Sequence, residues 1–154
     1  MDKKVIIVLT LLLSTAVIAA YVRGNFARAV VGEAQVRIAE TTYRVEVADT
    51  IATRAHGLSG RDGLAPGSGM LFVFKPASVQ SFWMHGMRFP IDIIWIRDGV
   101  VQGVAEGAQV PTRFSTPTFA SPGPVEYVLE LAAGTAKRDG IRAGVPVEIR
   151  GHGN

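Results

Sequence analysis

Apolar and polar residues alternate with a period of two through much of the chain. In QVRIAE, Val36 and Ile38 alternate with Arg37 and Ala39; in YRVEVAD, Tyr43, Val45 and Val47 alternate with Arg44, Glu46 and Ala48. Successive side chains on a strand point to opposite faces, so each run predicts a half-buried strand, and the short ETT between them predicts a hairpin. Residues 32–34 read as a spacer before the first strand. Asp49 or Thr50 is placed to cap a brief helix over IATRAHGL, ending towards Gly57 or Gly60. A glycine-rich loop, SGRDGLAPGSG, follows. Then MLFVF, a KPAS turn, VQSFWMH, IDIIWI, a tight RDG turn and VVQGVAE predict a meander; Asp-Gly supplies the positive φ angles of a type I′ turn. Residues 107–124 contain Pro111, Pro117, Pro122 and Pro124 with little periodicity and read as a long loop. VEYVLEL is the next strand, AGTAKRDG a short helix, and PVEIR a last strand. Seven or eight short strands with one or two short helices predict a mainly β domain, a compact β-sandwich or barrel-like fold.

The first segment breaks this pattern. After Lys3 and Lys4, residues 5–22 carry no charge, and Arg23 and Gly24 close the run. Eighteen helical residues span roughly 27 Å, close to the roughly 30 Å of bilayer hydrocarbon. Residues 1–32 are therefore expected to be an N-terminal transmembrane helix or signal peptide with its spacer, an uncleaved anchor being favoured because the candidate small-x-small site, ARA at residues 27–29, lies five residues beyond the apolar run and contains an arginine. Positive charge at the extreme N-terminus holds that end in the cytoplasm, so residues 33–154 are expected on the extracytoplasmic, periplasmic side.

Removing the leader changes the charge picture. The whole chain carries a formal +3, but residues 33–154 hold twelve basic and twelve acidic side chains. A balanced domain offers no electrostatic reason to expect nucleic acid. The chain has no cysteine, which excludes disulfides, thiolate metal sites and a cysteine nucleophile. It also lacks a G-x-S-x-G elbow and the Gly-Lys-Ser/Thr ending of a phosphate-binding loop.

Candidate chemistry gathers in SFWMHGMRFPIDIIWI, residues 81–96. If this stretch is extended, Trp83, His85 and Met87 share one face, and thioether plus imidazole is a ligand set suited to Cu(I), with Met70 or His56 as a third ligand. The competing reading is core packing, in which Met fills irregular gaps and Trp anchors the interior. Asp92 is the only charge between Arg88 and Arg97, and Glu130 lies between Leu129 and Leu131. A carboxylate entering a core strand is costly unless paired, and Arg61 in the glycine-rich loop is the expected partner. If Arg61, Asp92 and Glu130 converge, they form a buried structural network or the polar floor of a small-molecule pocket; two carboxylates beside an arginine also allow a hydrolase reading.

Three blocks, GLSGRDGLAPGSGMLFVF, FWMHGMRFPIDIIWIRDGVV and YVLELAAGTAKRDGIRAG, resemble in order and spacing the signature blocks of the DUF192 family, the uncharacterised COG1430 group, from about residue 33 to residue 150. The resemblance implies a compact β-rich domain, often behind a signal or anchor, without an assigned activity. The chain departs from the family pattern at His85, where lysine is usual, and at Gly86, where asparagine is usual. The expected function is a binding or accessory module at the membrane surface rather than an enzyme, with a ligand face built from Arg61, Trp83, Met84, Asp92 and Glu130 and the loop 59–69 as its rim. No cofactor is expected. The expected partners are the membrane, through residues 5–22, and a small ligand or an envelope protein.

Overall fold

A computed structural model describes residues 32–151 of the 154-residue chain. The leader expected over residues 1–32 lies, apart from Gly32, outside the described residues. No helix among the described residues is long and apolar enough to cross a membrane.

Seven strands form one sheet: β1 (Gly32–Ile38), β2 (Thr41–Ala48), β3 (Ser68–Trp83), β4 (Ile91–Arg97), β5 (Val100–Ala108), β6 (Thr118–Ala132) and β7 (Val147–Arg150), in the order β5-β4-β6-β3-β2-β1-β7. Two short helices, α1 (Ile51–His56) and α2 (Thr135–Arg138), complete the described fold. All neighbouring strands are antiparallel except β2 and β3. The sheet curls into a half-barrel, and its two edges meet at one end. There Val147 N–H donates to the Gly99 carbonyl at 2.8 Å and Val101 N–H to the Val145 carbonyl at 2.9 Å. The mainly β expectation therefore resolves to one curled sheet rather than two packed sheets.

Local sequence explains several elements. Thr50 caps α1, its hydroxyl accepting from the Thr53 N–H at 3.1 Å while the Thr53 hydroxyl accepts from the Thr50 N–H at 3.0 Å, a reciprocal capping box that satisfies two otherwise orphaned donors. Asp98 and Gly99 both have positive φ, 48° and 68°, as the Asp-Gly turn between β4 and β5 requires.

Three expectations are corrected. The spacer at residues 32–34 is already strand, Gly32, Glu33 and Ala34 pairing with Val47, Glu46 and Val45. The KPAS turn joins no two separate strands: β3 runs unbroken for sixteen residues and bends, its pairing with β6 slipping register between Val73 and Ser78. Phe72 and Phe82 would lie about 33 Å apart on a straight strand, yet their rings meet edge to face at 4.8 Å. The outer halves of β3 and β6 therefore form a two-stranded ribbon folded back over the sheet. Finally, β6 begins at Thr118, inside the predicted loop, and carries Pro122 and Pro124. Proline survives in a strand where its missing N–H faces no partner, and the outer half of β6 pairs on one side only, Val79 opposite Pro124.

The curl creates two cores. Inside it, Val36, Ile38, Tyr43, Leu71, Ile94 and Leu129 form one buried cluster. On the outer face a second cluster, including Met70, Phe72, Phe82, Ile93 and Trp95, is covered by the ribbon and the flanking loops.

Candidate functional site

The sequence-predicted site residues do not converge, and strand register explains why. Asp92 pairs with Leu131 and Ile93 with Glu130 across β4 and β6. Positions one step apart on a strand face opposite sides of the sheet. Asp92 accordingly points into the inner core with Leu131, and Glu130 points to the outer face. The pair cannot act together as acid and base on one bond, and no triad with Arg61 forms.

Asp92 is fully buried. One carboxylate oxygen accepts from the Gly107 N–H at 2.8 Å, and the other from the Ala136 N–H at 2.8 Å. It thus ties the end of β5 and the first turn of α2 to β4. This satisfied anion is a structural bracket, as its two backbone donors take up both oxygens.

Arg61 pairs not with Asp92 but with Glu46 of β2. Its guanidinium donates to both carboxylate oxygens, one bond at 2.7 Å, in the fork geometry that suits arginine. The hydrogen bonds from Arg61 hold the Glu46 carboxyl below its ordinary range and raise the arginine. The loop carrying Arg61 is fixed at several points. Gly60 N–H donates to the Gly86 carbonyl at 2.8 Å, Ser59 Oγ to the His85 carbonyl at 3.0 Å, and Arg44 N–H to the Gly67 carbonyl at 2.9 Å.

Glu130 occupies the outer face under this cover. Its register partners are Met70 on β3 and Ile93 on β4, and Met70 in turn pairs with Glu46 on β2. The row Glu46, Met70, Glu130, Ile93 therefore runs across four strands. Glu130 is 6% exposed, and no described group donates to its carboxyl; burial alone pushes it up to about 8. Its carboxyl oxygens keep some solvent contact, so neither is a buried atom left without a partner. Gly69, beside this row, is required: a Cβ there would sit 2.5 Å from the Glu130 carbonyl oxygen and force β3 from β6.

Trp83 and Met84 part company. Trp83 is 64% exposed and lies beside His85, ring centroids 5.0 Å apart, whereas Met84 is buried in the outer cluster. The extended run ends at Trp83, and a turn at His85 and Gly86 carries Met87 back into the cluster. The expected Trp83, His85 and Met87 face is therefore absent, because the backbone stops being a strand halfway through it. His56 ends α1 as an exposed side chain.

A groove of about 800 Å³ lies on the outer face of β7, β1, β2 and the start of β3. Glu33, Gln35, Arg44, Glu46, Ser68 and Arg150 line it over a floor of backbone. Glu46 joins this groove to the Arg61 loop. Sequence reading singled out neither Glu46 nor Arg44, although the alternation in YRVEVAD already placed both on the outward face. Among the described residues no group of three His, Asp or Glu side chains assembles.

Residues 34–149 match the family model DUF192, described as an uncharacterised ACR, COG1430, and the chain belongs to this family. It is similar to a solved structure from Sinorhizobium meliloti 1021, named as a proposed transcription regulator, with 34% identity, a TM-score of 0.71, and coverage of 77% of this chain and 94% of that one. A protein of unknown function from Novosphingobium aromaticivorans DSM 12444 is 33% identical with a TM-score of 0.68, covering 75% of this chain and 83% of that one. No curated protein matches.

Proposed function

We propose that this protein is a binding module that acts outside the cytoplasm, held at the membrane surface by its first residues, with the groove on β7, β1 and β2 as its ligand site. The observation that carries this reading is the pairing of a sizeable concave surface with side chains of both signs. Arg44 and Arg150 stand on the same outer face as Glu33 and Glu46, with Gln35 and Ser68 between them. Such a lining fits a small zwitterionic or anionic polar molecule, oriented by charge and held by hydrogen bonds. Arg61 serves the site indirectly by fixing the Glu46 carboxylate at its wall.

The balanced charge of residues 33–154 favours no DNA contact, so the regulator name of the Sinorhizobium protein is not carried over. An anchor explains the uncharged run at residues 5–22 and would hold the groove near the membrane.

Native mass spectrometry of the full-length protein, purified gently from its own envelope, tests the reading. An added mass that is retained by wild type and lost in Arg44→Glu supports the groove. A bare polypeptide mass in both proteins overturns it and redirects the search to protein partners.

A further inference from the structure

We infer that Met70, Met84 and Met87, with the carboxyl of Glu130, form a site for a soft monovalent metal cation, Cu(I). This site is separate from the polar groove and from the face once expected to combine Trp83, His85 and Met87. The inference starts from Glu130, a mostly buried carboxyl that receives no hydrogen bond from any described group and keeps a little solvent contact. Arg61, the nearest cation in the sequence expectation, is committed to Glu46, so Glu130 faces the outer cluster with no donor.

One thioether stands beside Glu130, and two more lie in the same outer cluster. Met70 is its direct partner across β3 and β6, so their side chains stand side by side on one face with Cβ atoms about 4.5–5.5 Å apart. Met84 and Met87 come from the segment between Trp83 and Ile91, which is strapped across the same face. Met87 N–H donates to the Met84 carbonyl at 3.2 Å, closing the turn. One side of that turn is fastened to residues 59 and 60, immediately before Arg61 and its partner Glu46, the neighbour of Met70 in the row. Further along, the Pro90 carbonyl accepts from the Ala133 N–H at 3.2 Å, three residues past Glu130. The strap is therefore fastened near both ends of the row that holds Met70 and Glu130. All three methionines are buried, at 2%, 1% and 8% exposure, in the same cluster.

Packing alone explains this less well. Leu and Ile fill a core with better-defined rotamers than Met, and a carboxyl without a donor is costly there. Three thioethers around a carboxylate have a chemical rationale as a ligand set: thioethers select Cu(I), and the carboxylate supplies the negative charge that a buried cation needs. The residual solvent contact at Glu130 gives the ion an entry point. Coordination involves no electron transfer, only displacement of solvent or a competing ligand from the ion.

The test uses the full-length protein, titrated anaerobically with Cu(I) against a chromogenic Cu(I) chelator, with copper-edge X-ray absorption on the bound form. Wild type is expected to hold one equivalent with sulfur scatterers. Met70→Leu, Met84→Leu, Met87→Leu and Glu130→Gln are each expected to weaken binding by at least about 10–100-fold, the loss that even an outer-shell partner of a metal site costs. Leu for Met nearly conserves volume, at under about 1.5 kcal/mol, so the fold persists in the single variants and circular dichroism verifies it. If all four variants bind as wild type does, the metal sits on the histidines or the N-terminus and the inference fails. It fails equally if wild type takes up no Cu(I) in competition with the chelator.

Discussion

Asp92 and Glu130 are both buried carboxylates on adjacent strands, one register step apart, and they have opposite fates. Asp92 turns inward and receives two backbone N–H groups, from Gly107 and Ala136. Glu130 turns outward under the strap and receives none. Burial of a charge is thus not by itself a sign of function. A satisfied buried anion is architecture, because it supplies the acceptors that two chain segments need. A carboxyl that receives no donor and keeps only a little solvent contact is instead open to a proton, a cation or a ligand.

The sharpest way to break this contrast is Asp92→Ala. It orphans two buried N–H donors and is expected to cost about 3–5 kcal/mol, read as a lowered midpoint in urea unfolding. A loss below about 1 kcal/mol would mean that water or a local shift replaces the bracket, since an unmade buried hydrogen bond costs at least that much.

Glu130 is expected to reveal itself through pH instead. Its carboxyl is raised from 4.5 to about 8 in the folded state. Below pH 4.5 both folded and unfolded chains hold the proton and this residue contributes no slope. Between 4.5 and 8 only the unfolded chain releases it, so stability falls as pH rises, by up to about 1.4 kcal/mol per unit. Above 8 both states are ionised and the slope disappears. Glu130→Gln is expected to abolish this part of the pH profile, measured as the wild-type minus variant difference in unfolding free energy. Parallel profiles would show that the carboxyl is already ionised in the fold.

The smallest effect is expected at Arg61. Its side chain is 32% exposed and that of its partner Glu46 38%. Arg61→Ala should therefore lower stability by no more than about 1 kcal/mol, as for surface ion pairs generally. A loss of several kcal/mol would place Arg61 among the structural brackets with Asp92.

Much of the fold was legible wherever local rules act alone. The alternation in β1 and β2, the helix cap at Thr50, one of the two positions expected, and the Asp98-Gly99 turn each depend on a few neighbouring residues, and each appears in the structure. The family blocks were legible for the same reason, as ordered local motifs. The bend in β3 and the prolines within β6 were not. Both depend on a ribbon that folds back over the sheet, and nothing local in KPAS separates a bend from a hairpin turn. The candidate site was legible only by type. Asp92 and Glu130 stood out as isolated charges in apolar strands, but the donors to Asp92 come from residues fifteen and forty-four positions away.

By itself, then, the sequence determined that this is a cysteine-free, charge-balanced β domain of the DUF192 family with two carboxylates in its core strands. Composition, period and motif order are local properties, and they survive any arrangement of the strands. Only the tertiary structure decided which face each carboxylate takes, that Arg61 belongs to Glu46, and that three methionines share the outer cluster. The physical reason is register: a one-residue shift between β4 and β6 exchanges inside for outside. That shift is set by the packing of the whole sheet, and no single stretch of the chain records it.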